Sequence, residues 1–344
     1  MQKNFFYYVS INCIYWVFYK LIILEIILRS KFYPKAKLLY SGWVRGFGFG
    51  DHIAFCLNIK KKVKKNAWLF CYSNQQFENA LFFYDKKLII KAFFAIPKFL
   101  NENHLGNKYL YNDIFFKPQK IKSPHNNNIE NNLFYGTKPQ IEFIKTRLKK
   151  FKISSKLKNI LKKKTIVIGI KNFSLKKKVN SNVNFQKRQT RDLKKIFKLL
   201  KNISKKNINI VILGKASEHF IKIYINKKIL VKNIYLFKDL SDNYSIADQV
   251  FLAQNAYGYF GNGYGALIFF DILVKKILLI DYVWDDANNL CKKNRLHLYK
   301  KIINKKNMRV EICNLFKTYN NKDHKILENT YGEIYKNFNN KFKV

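Results

Sequence analysis

The sequence predicts an α/β protein in which an N-terminal hydrophobic helix precedes two Rossmann-like, doubly wound domains. Three observations support this fold class. The 344 residues are sufficient for two domains. Apolar residues make up 48% of the chain, enough to bury a sizeable core despite a formal net charge of +45. Short apolar runs alternate with segments of helical spacing, a pattern typical of a parallel sheet covered by helices.

The first element is the hydrophobic stretch 5–28, which predicts a membrane-associated helix within a segment 1–30. Its length suits a bilayer span, and the aromatic start and the basic residues that follow suit the headgroup region, with the rest of the chain in the cytoplasm. Lys20 and Glu25 interrupt the run, and charges near a bilayer centre are costly. Three alternatives therefore remain: the helix spans the membrane, packs on the protein, or lies at the membrane interface. No small-residue cleavage site follows, so we expect no removed signal peptide.

The first Rossmann-like domain is expected over residues 31–155, on the acceptor side of the predicted site. A short strand at Lys37–Trp43 ends in a glycine-rich turn, a helix begins near His52, and a second strand follows at Ala67–Tyr72. The polar stretch 123–132 predicts an exposed loop. The domain therefore begins with the strand–turn–helix–strand order of a parallel sheet.

The second Rossmann-like domain, expected over residues 156–344, shows the pattern more clearly. Its predicted strands are Thr165–Ile170, Ile208–Leu213, Asn233–Phe237, Tyr257–Phe260 and Ile277–Asp281. Helical spacing separates them at Asp192–Ile203, Ser217–Ile225, Tyr244–Asn255 and from Ala266 onward. Apolar strands that are each followed by a helix predict a mostly parallel sheet buried on both faces.

The chain is strongly basic, with 66 lysine and arginine residues against 21 acidic ones. A polyanion-binding surface would explain this excess, and so would an A/T-biased gene in which surface positions drift toward lysine and asparagine. No RNA-recognition, zinc-finger or helix-turn-helix signature is present, so we expect no specific nucleic-acid partner. An anionic membrane surface is a compatible partner. The 5 scattered cysteines lack a C-x-x-C pair, which excludes a disulfide scaffold and a zinc ribbon.

Glycine is rare and unevenly placed. Of 13 glycines, eight fall within 42–50 and 258–265. Glycine is needed where the backbone turns with positive φ or lets a ligand approach closely. Both clusters lie between a predicted strand and a helix, where α/β sheets bind anionic ligands. The spacing Gly46-x-Gly48-x-Gly50 does not fit a dinucleotide fingerprint, and no Walker lysine follows. We therefore expect one ligand held between two lobes.

Residues Gly46–His52 and Asp239–Tyr282 resemble the corresponding parts of bacterial GT-B glycosyltransferases, in the heptosyltransferase-like and fucosyltransferase-like branches. The likeness is close over these two segments and looser elsewhere. It implies a GT-B-like fold and a nucleotide-sugar donor that serves as co-substrate, with no metal and no further cofactor. It also implies a glycan or lipid-linked acceptor, handled at the cytoplasmic face of the inner membrane in the synthesis of cell-envelope polysaccharide.

The resemblance implies roles for individual residues. Asp51 would be the general base for the acceptor hydroxyl and His52 the alternative, although an aspartate at a helix start also fits an N-cap. Positive charge would stabilise the departing diphosphate. We expect Glu218 to contact a ribose hydroxyl, and Tyr244 and Ser245 to flank the nucleobase. The nucleotide-sugar-binding residues would be Gly48, Gly50, Lys171, Arg188, Lys215, Glu218, Tyr244, Ser245, Asn262, Gly263, Tyr264 and Gly265.

Two other functions fit the same sequence. One is a non-catalytic, basic protein that binds membrane surfaces or polyanions on a degenerate GT-B fold. The other is a nucleotide-sugar epimerase of the same architecture. An epimerase would convert its nucleotide sugar without an acceptor, and a non-catalytic protein would bind no donor.

Overall fold

The computed structural model describes part of the chain, in two compact units, Met1–Leu133 and Phe134–Val344. The described residues of the first unit are 10, 13, 14, 17, 18, 20, 21, 24, 25, 28, 37–40, 53, 56, 57, 67–71, 74–86, 89–91 and 93. Those of the second unit are 137–170, 190, 192–214, 217, 218, 233–241, 244–262, 267–282, 294–304 and 324–344. This division groups residues 134–155 with the second unit, whereas the sequence suggested a boundary at 155.

The first unit contains three parallel strands in the order β1–β2–β3. They are β1 (Lys37–Tyr40), β2 (Ala67–Cys71) and β3 (Ile89–Lys91), and helix α1 (Asn74–Phe83) connects the last two. Ile53, Cys56 and Leu57 are helical and buried, at the spacing of one helix face. The strand–helix–strand order predicted for the start of this domain is therefore confirmed.

The described residues between 10 and 28 are helical, as the hydrophobic stretch predicts. Glu25, one of the two charges in this stretch, is buried, and both of its carboxylate oxygens accept the backbone N–H of Phe93 at 2.8 Å. The charge that interrupts the apolar run thus joins the helix to the residues after β3. A search of the described residues for a helix with the length and hydropathy of a membrane span finds none.

The second unit is built on a six-stranded parallel sheet in the order β6–β5–β4–β7–β8–β9. Its strands are β4 (Thr165–Gly169), β5 (Asn209–Ile212), β6 (Ile234–Leu236), β7 (Gly258–Gly261), β8 (Lys276–Tyr282) and β9 (Arg295–Tyr299). All residues of β4, β5 and β7 are buried, because helices cover the sheet on both faces. The α/β class and the doubly wound parallel sheet predicted for this domain are confirmed.

The helices with bounds in the described part of the second unit are α2 (Lys138–Leu148), α3 (Ser155–Ile160), α4 (Lys194–Ser204), α5 (Phe237–Leu240), α6 (Ile246–Asn255), α7 (Leu267–Ile272) and α8 (Tyr331–Phe342). Ser217 and Glu218, which follow β5, are also helical. Helices α4 and α8 pack on one face, in a core cluster with alternate residues of β4, β5, β7 and β8. Tyr259 of β7 points to the other face, where its ring lies 5.1 Å from that of Phe270 in α7. The predicted helices that begin near 192, 244 and 266 are therefore present.

The C-terminal segment completes the second unit. After β9 the chain forms an antiparallel pair, β10 (Lys301–Asn304) with β11 (His324–Leu327). Helix α8 then begins at a capping box, in which Thr330 and Glu333 satisfy each other's backbone N–H groups. Phe338 and Phe342 of this helix are fully buried, and Phe338 packs edge-on against Phe260 of β7. The helix therefore covers the half of the sheet that α4 leaves open.

Candidate functional site

The strand order of the second sheet places a topological switch point between β4 and β7. From β4 the chain continues through α4 to β5 on one side, whereas β7 leads through α7 to β8 on the other. Helices α4 and α7 lie on opposite faces, so the connections that follow β4 and β7 diverge at the carboxyl edge of the sheet. Open α/β sheets bind ligands at such a point. The candidate site therefore lies beyond Gly169 and Gly261, the last residues of these two strands.

The two strand ends approach each other closely because both end in glycine. Gly261 has φ +146°, and a Cβ atom there would overlap the carbonyl oxygen of Gly169. A Cβ atom at Gly169 would in turn overlap the hydroxyl of Tyr259. At the start of β7, a Cβ atom at Gly258 would lie 2.5 Å from the backbone oxygen of Lys276. The described glycines of the second cluster are thus required by strand packing.

Asn262 begins the turn after β7 and is fixed on all sides. Its backbone N–H donates to Gly169 O at 2.9 Å, and its own carbonyl oxygen lies 3.0 Å from the Tyr259 hydroxyl. The side-chain Nδ2 donates to Thr190 Oγ1 at 3.1 Å and to Ile280 O at 3.0 Å. Both amide N–H groups are therefore used within the protein. Asn262 holds the start of the turn in place, which leaves the backbone beyond it as the part that could face a ligand.

A buried ionic network lies beside Asn262. Lys195 of α4 places its Nζ 3.0 Å from Asp281 Oδ2, 2.9 Å from Glu328 Oε2 and 2.9 Å from Asn329 O. Thr190 donates its hydroxyl to the same Asp281 oxygen at 2.7 Å. An ammonium group has three N–H donors, and here each has an acceptor. The network connects the end of β8 with Asn262 through Thr190.

Two partners in this network, Glu328 and Asn329, directly follow β11. Asp281 and Asn329 exchange hydrogen bonds: Asp281 N–H donates to Asn329 Oδ1 at 2.6 Å, and Asn329 N–H donates to Asp281 Oδ1 at 2.7 Å. Glu328 Oε2 also accepts the backbone N–H of Asp192 at 3.1 Å. Since the donors of the network meet acceptors inside it, we interpret it as a rigid support for the turn after β7 and not as a ligand receptor.

On the other side of the switch point, Ser217, in the helical segment after β5, forms hydrogen bonds with the residue that follows β4. Its Oγ accepts the N–H of Ile170 at 2.8 Å and donates to Ile170 O at 2.9 Å. The turn before this helix contains Gly214, whose φ of +102° suits glycine. The next residue, Glu218, is thereby placed near the carboxyl edge of β4 and β5.

Glu218 is a buried carboxyl group in a partly polar setting. Its Oε1 accepts the backbone N–H of Lys238 at 3.2 Å, and the side chain of Tyr244 lies beside the carboxyl group. Burial raises the pKa of Glu218, while the neighbouring Tyr244 hydroxyl and the Lys238 N–H oppose the rise. A carboxyl group held in this way, at the edge where open α/β sheets bind ligands, can accept hydrogen bonds from hydroxyl groups.

Tyr244 and Ser245 adjoin Glu218 at the start of α6. Tyr244 has φ +55°, an uncommon backbone conformation for a residue with a bulky side chain, and its ring packs edge-on against Phe237. Ser245 is the N-cap of α6, with its Oγ 3.5 Å from Asp248 N. The structure therefore places Glu218 in contact with Tyr244, and Ser245 follows Tyr244 in the chain. Asn262 lies on the other side of β4.

The remaining predicted site residues lie outside the described part of the chain. They are the first-domain residues Gly48, Gly50, Asp51 and His52 and the second-domain residues Lys171, Arg188, Lys215, Gly263, Tyr264 and Gly265. Their roles stay predictions. The network of Lys195, Asp281 and Glu328 was not predicted, although Asp281, a single acid closing a long apolar strand, could have indicated it.

A stacked aromatic group at the end of β8 was also not predicted. The ring of His297 stacks on Tyr282 with centroids 4.8 Å apart and an interplanar angle of 11°, and Tyr299 packs edge-on against Tyr282. Burial, together with the smaller effect of the charges of Arg295 and Lys341, lowers the pKa of His297 to about 4. His297 is therefore neutral at pH 7 and contributes to packing in β9.

Comparison with solved structures finds sugar-active enzymes at low similarity. ADP-heptose lps heptosyltransferase II of E. coli is 9% identical, with a TM-score of 0.32 over 72% of each chain. UDP-GlcNAc 2-epimerase of Methanocaldococcus jannaschii, in complex with UDP-GlcNAc and UDP, is 14% identical, with a TM-score of 0.29 over 74% of this chain and 72% of that chain. Another structure of that epimerase is 10% identical, with a TM-score of 0.32 over 86% and 83%. No protein-family model matches the sequence, and no curated protein sequence does.

Proposed function

We propose that the protein is a glycosyltransferase that moves a sugar from a nucleotide-sugar donor to a glycan or lipid-linked acceptor at the cytoplasmic face of the inner membrane. The observation that carries the proposal is the switch point of the second sheet. On one side of this point lies the buried carboxyl group of Glu218, in contact with Tyr244. On the other side lies Asn262, which hydrogen bonds hold in place.

The donor would lie across the carboxyl edge of β4. On the β5 side, Glu218 would accept hydrogen bonds from the ribose hydroxyls, and Tyr244 would pack near the base. On the β7 side, the backbone N–H groups of residues 263–265 would contact the diphosphate at the start of the following helix. These N–H groups would stabilise the negative charge that develops as the diphosphate departs.

The transfer itself would need a base from the first domain. The acceptor oxygen would attack the anomeric carbon of the donor sugar. The bond between this carbon and the diphosphate oxygen would break, so that the nucleoside diphosphate leaves with the electron pair. The acceptor proton would pass to the Asp51 carboxylate, or to His52 in its place. Lys171, Arg188 and Lys215 would offset the charge on the leaving diphosphate.

A thermal-melting screen with nucleotide sugars tests this proposal. We expect UDP-, GDP- or ADP-linked sugars to raise the melting temperature of the full chain. A ligand present at 100 times its Kd stabilises a protein by about 2.7 kcal/mol. The Glu218→Gln variant should bind the same donor about tenfold more weakly, because it loses a charged hydrogen-bond acceptor but keeps the contact with Lys238 N.

The matched control is Asp239→Asn, which removes a nearby but exposed carboxylate and should leave donor affinity unchanged. A flat response to every donor would contradict the proposal. Conversion of the nucleotide sugar in the absence of any acceptor would instead identify an epimerase.

A further inference from the structure

The N-terminal helix carries an exposed aliphatic stripe. Consecutive members are three or four residues apart, so on a helix they share one face about 80° wide. Four of them are about half exposed, and Leu21 between them is partly exposed. The stripe consists of Ile14 (44% exposed), Val17 (58%), Leu21, Leu24 (51%) and Leu28 (48%).

One border of this stripe is attached to the first unit. Glu25 lies next to Leu21 and Leu28 on the helix surface, is buried, and accepts the N–H of Phe93 with both oxygens. This contact fixes the rotation of the helix about its own axis. At about 100° per residue, the centre of the stripe lies about 60° round the helix from Glu25, so the stripe borders this contact while its side chains stay partly exposed.

Two further side chains extend the surface. Phe93 is 80% exposed, and the hydrogen bonds from its backbone to Glu25 place it beside the helix. Lys20 is exposed on the other border of the stripe, where it lines a shallow hollow together with Val17, Leu21 and Leu24. An aromatic side chain and a lysine at the edges of an aliphatic strip are typical of helices that lie at a membrane interface.

Charge decides which partner fits this surface. In residues 1–40 the basic side chains are Lys3, Lys20, Arg29, Lys31, Lys35 and Lys37, and the single acidic one, Glu25, is buried. A second copy of the chain would bring another net charge of +45 toward the same stripe and repel it. A bilayer with anionic headgroups attracts these lysines and accepts the aliphatic side chains.

We propose that this helix docks in the plane of an anionic bilayer, with Ile14, Val17, Leu21, Leu24 and Leu28 inserted below the headgroups, Phe93 at one edge and Lys20 among the phosphates. The inference rests on the proposed function only in that it specifies the membrane contact proposed there. It requires no sugar chemistry, so the two can fail separately.

Vesicle flotation of the full chain, without any nucleotide sugar, tests the proposal. We expect the protein to float with phosphatidylcholine vesicles that contain about one third phosphatidylglycerol and to stay in solution with pure phosphatidylcholine vesicles. The variant Val17→Asp/Leu24→Asp should reduce the bound fraction about tenfold or more, because two carboxylates enter the apolar strip. Its melting temperature should be unchanged, since both positions are exposed.

The matched control is Lys194→Ala/Lys201→Ala, which changes the net charge by the same amount at exposed sites of α4 in the second unit. We expect it to bind vesicles almost as well as the original chain. Equal losses in both variants would show that overall charge alone drives binding and would overturn the proposal. A dimer in sedimentation velocity that the Val17→Asp/Leu24→Asp variant abolishes, without vesicle binding, would also overturn it.

Extraction of cell membranes at alkaline pH distinguishes in-plane docking from a span. A helix docked at the surface should be released, because it is held by the interface only. Retention of the full chain in the extracted membranes would contradict docking in the plane.

Discussion

Replacing Gly261 with alanine is expected to destabilise the second unit by about 3 kcal/mol or more. Two costs combine at this position. The residue has φ +146°, which alanine adopts only with strain, and its Cβ atom would overlap the Gly169 carbonyl oxygen. That oxygen belongs to β4, which pairs with β7, so it cannot move without disturbing the centre of the sheet. Urea denaturation followed by circular dichroism measures the effect.

Gly332→Ala provides the control for this prediction. Gly332 lies in the first turn of α8, and a Cβ atom there meets nothing within 4 Å. We expect this variant to be as stable as the original chain or more stable by about 0.5–1 kcal/mol, because alanine favours a helix over glycine. Equal unfolding midpoints for the two variants would contradict the close approach of β4 and β7.

Replacing Lys195 with methionine is expected to destabilise the second unit by about 3–5 kcal/mol. Methionine fills a similar volume but provides no N–H donors. Asp281 and Glu328 would lose their shared cation in a site where Asp281 is fully buried. The loss should also loosen the turn after β7, because Asp281 holds Thr190 and Thr190 holds Asn262. Urea denaturation measures the stability change.

The neighbouring Lys194 is exposed in the same turn of α4 and serves as the comparison. Lys194→Met should change the free energy of unfolding by no more than about 0.5 kcal/mol. If the two variants were equally stable, Lys195 would not be the cation that joins α4, β8 and the segment before α8.

Five of the six strands in the sheet of the second unit could be predicted because each contains a short, largely apolar run bounded by polar or glycine residues. The sixth strand, β9, was not predicted, because Arg295 and His297 interrupt its apolar residues. Thr165–Ile170 and Ile208–Leu213 differ from the observed β4 and β5 only at their ends. Burial on both faces favours apolar side chains in such strands, and the polar residues Thr165 and Asn209 stand only at their first positions. The order of strands could not be predicted in the same way, because it depends on which crossover each helix makes.

The sequence alone cannot distinguish two reasons for a cluster of glycines. We interpret both clusters as turns that contact a ligand, and six of their eight glycines lie outside the described residues, so that for these the interpretation stays a prediction. For the other two, Gly258 and Gly261, the contacts with Lys276 and Gly169 explain the need for glycine. Close approach of two backbones and close approach of a ligand both require a residue without a Cβ atom. Only the coordinates separate these two causes.

The buried charges could not be predicted because lysine is common throughout the sequence. Lys195 is one of several lysines in α4. Helical spacing places it on the apolar face with Ile196 and Leu199, unlike the exposed Lys194, but this position does not identify its partners. Its partners come from β8 and from the segment before α8, far away in the chain. Glu25 is a similar case: the sequence shows a charge within an apolar run, and the structure supplies its partner, Phe93 N.

Hydrogen–deuterium exchange in the presence of the nucleotide sugar selected by the melting screen tests the placement of the site most directly. If the donor binds where we propose, its addition should slow amide exchange in residues 213–218 and 261–265, after β5 and β7. Residues 205–208 and 256–257, which precede the same strands at the opposite edge, should exchange at unchanged rates. Slower exchange at that opposite edge would contradict a site at the switch point. The same holds if a nucleotide sugar that binds the protein leaves the exchange rates at both edges unchanged.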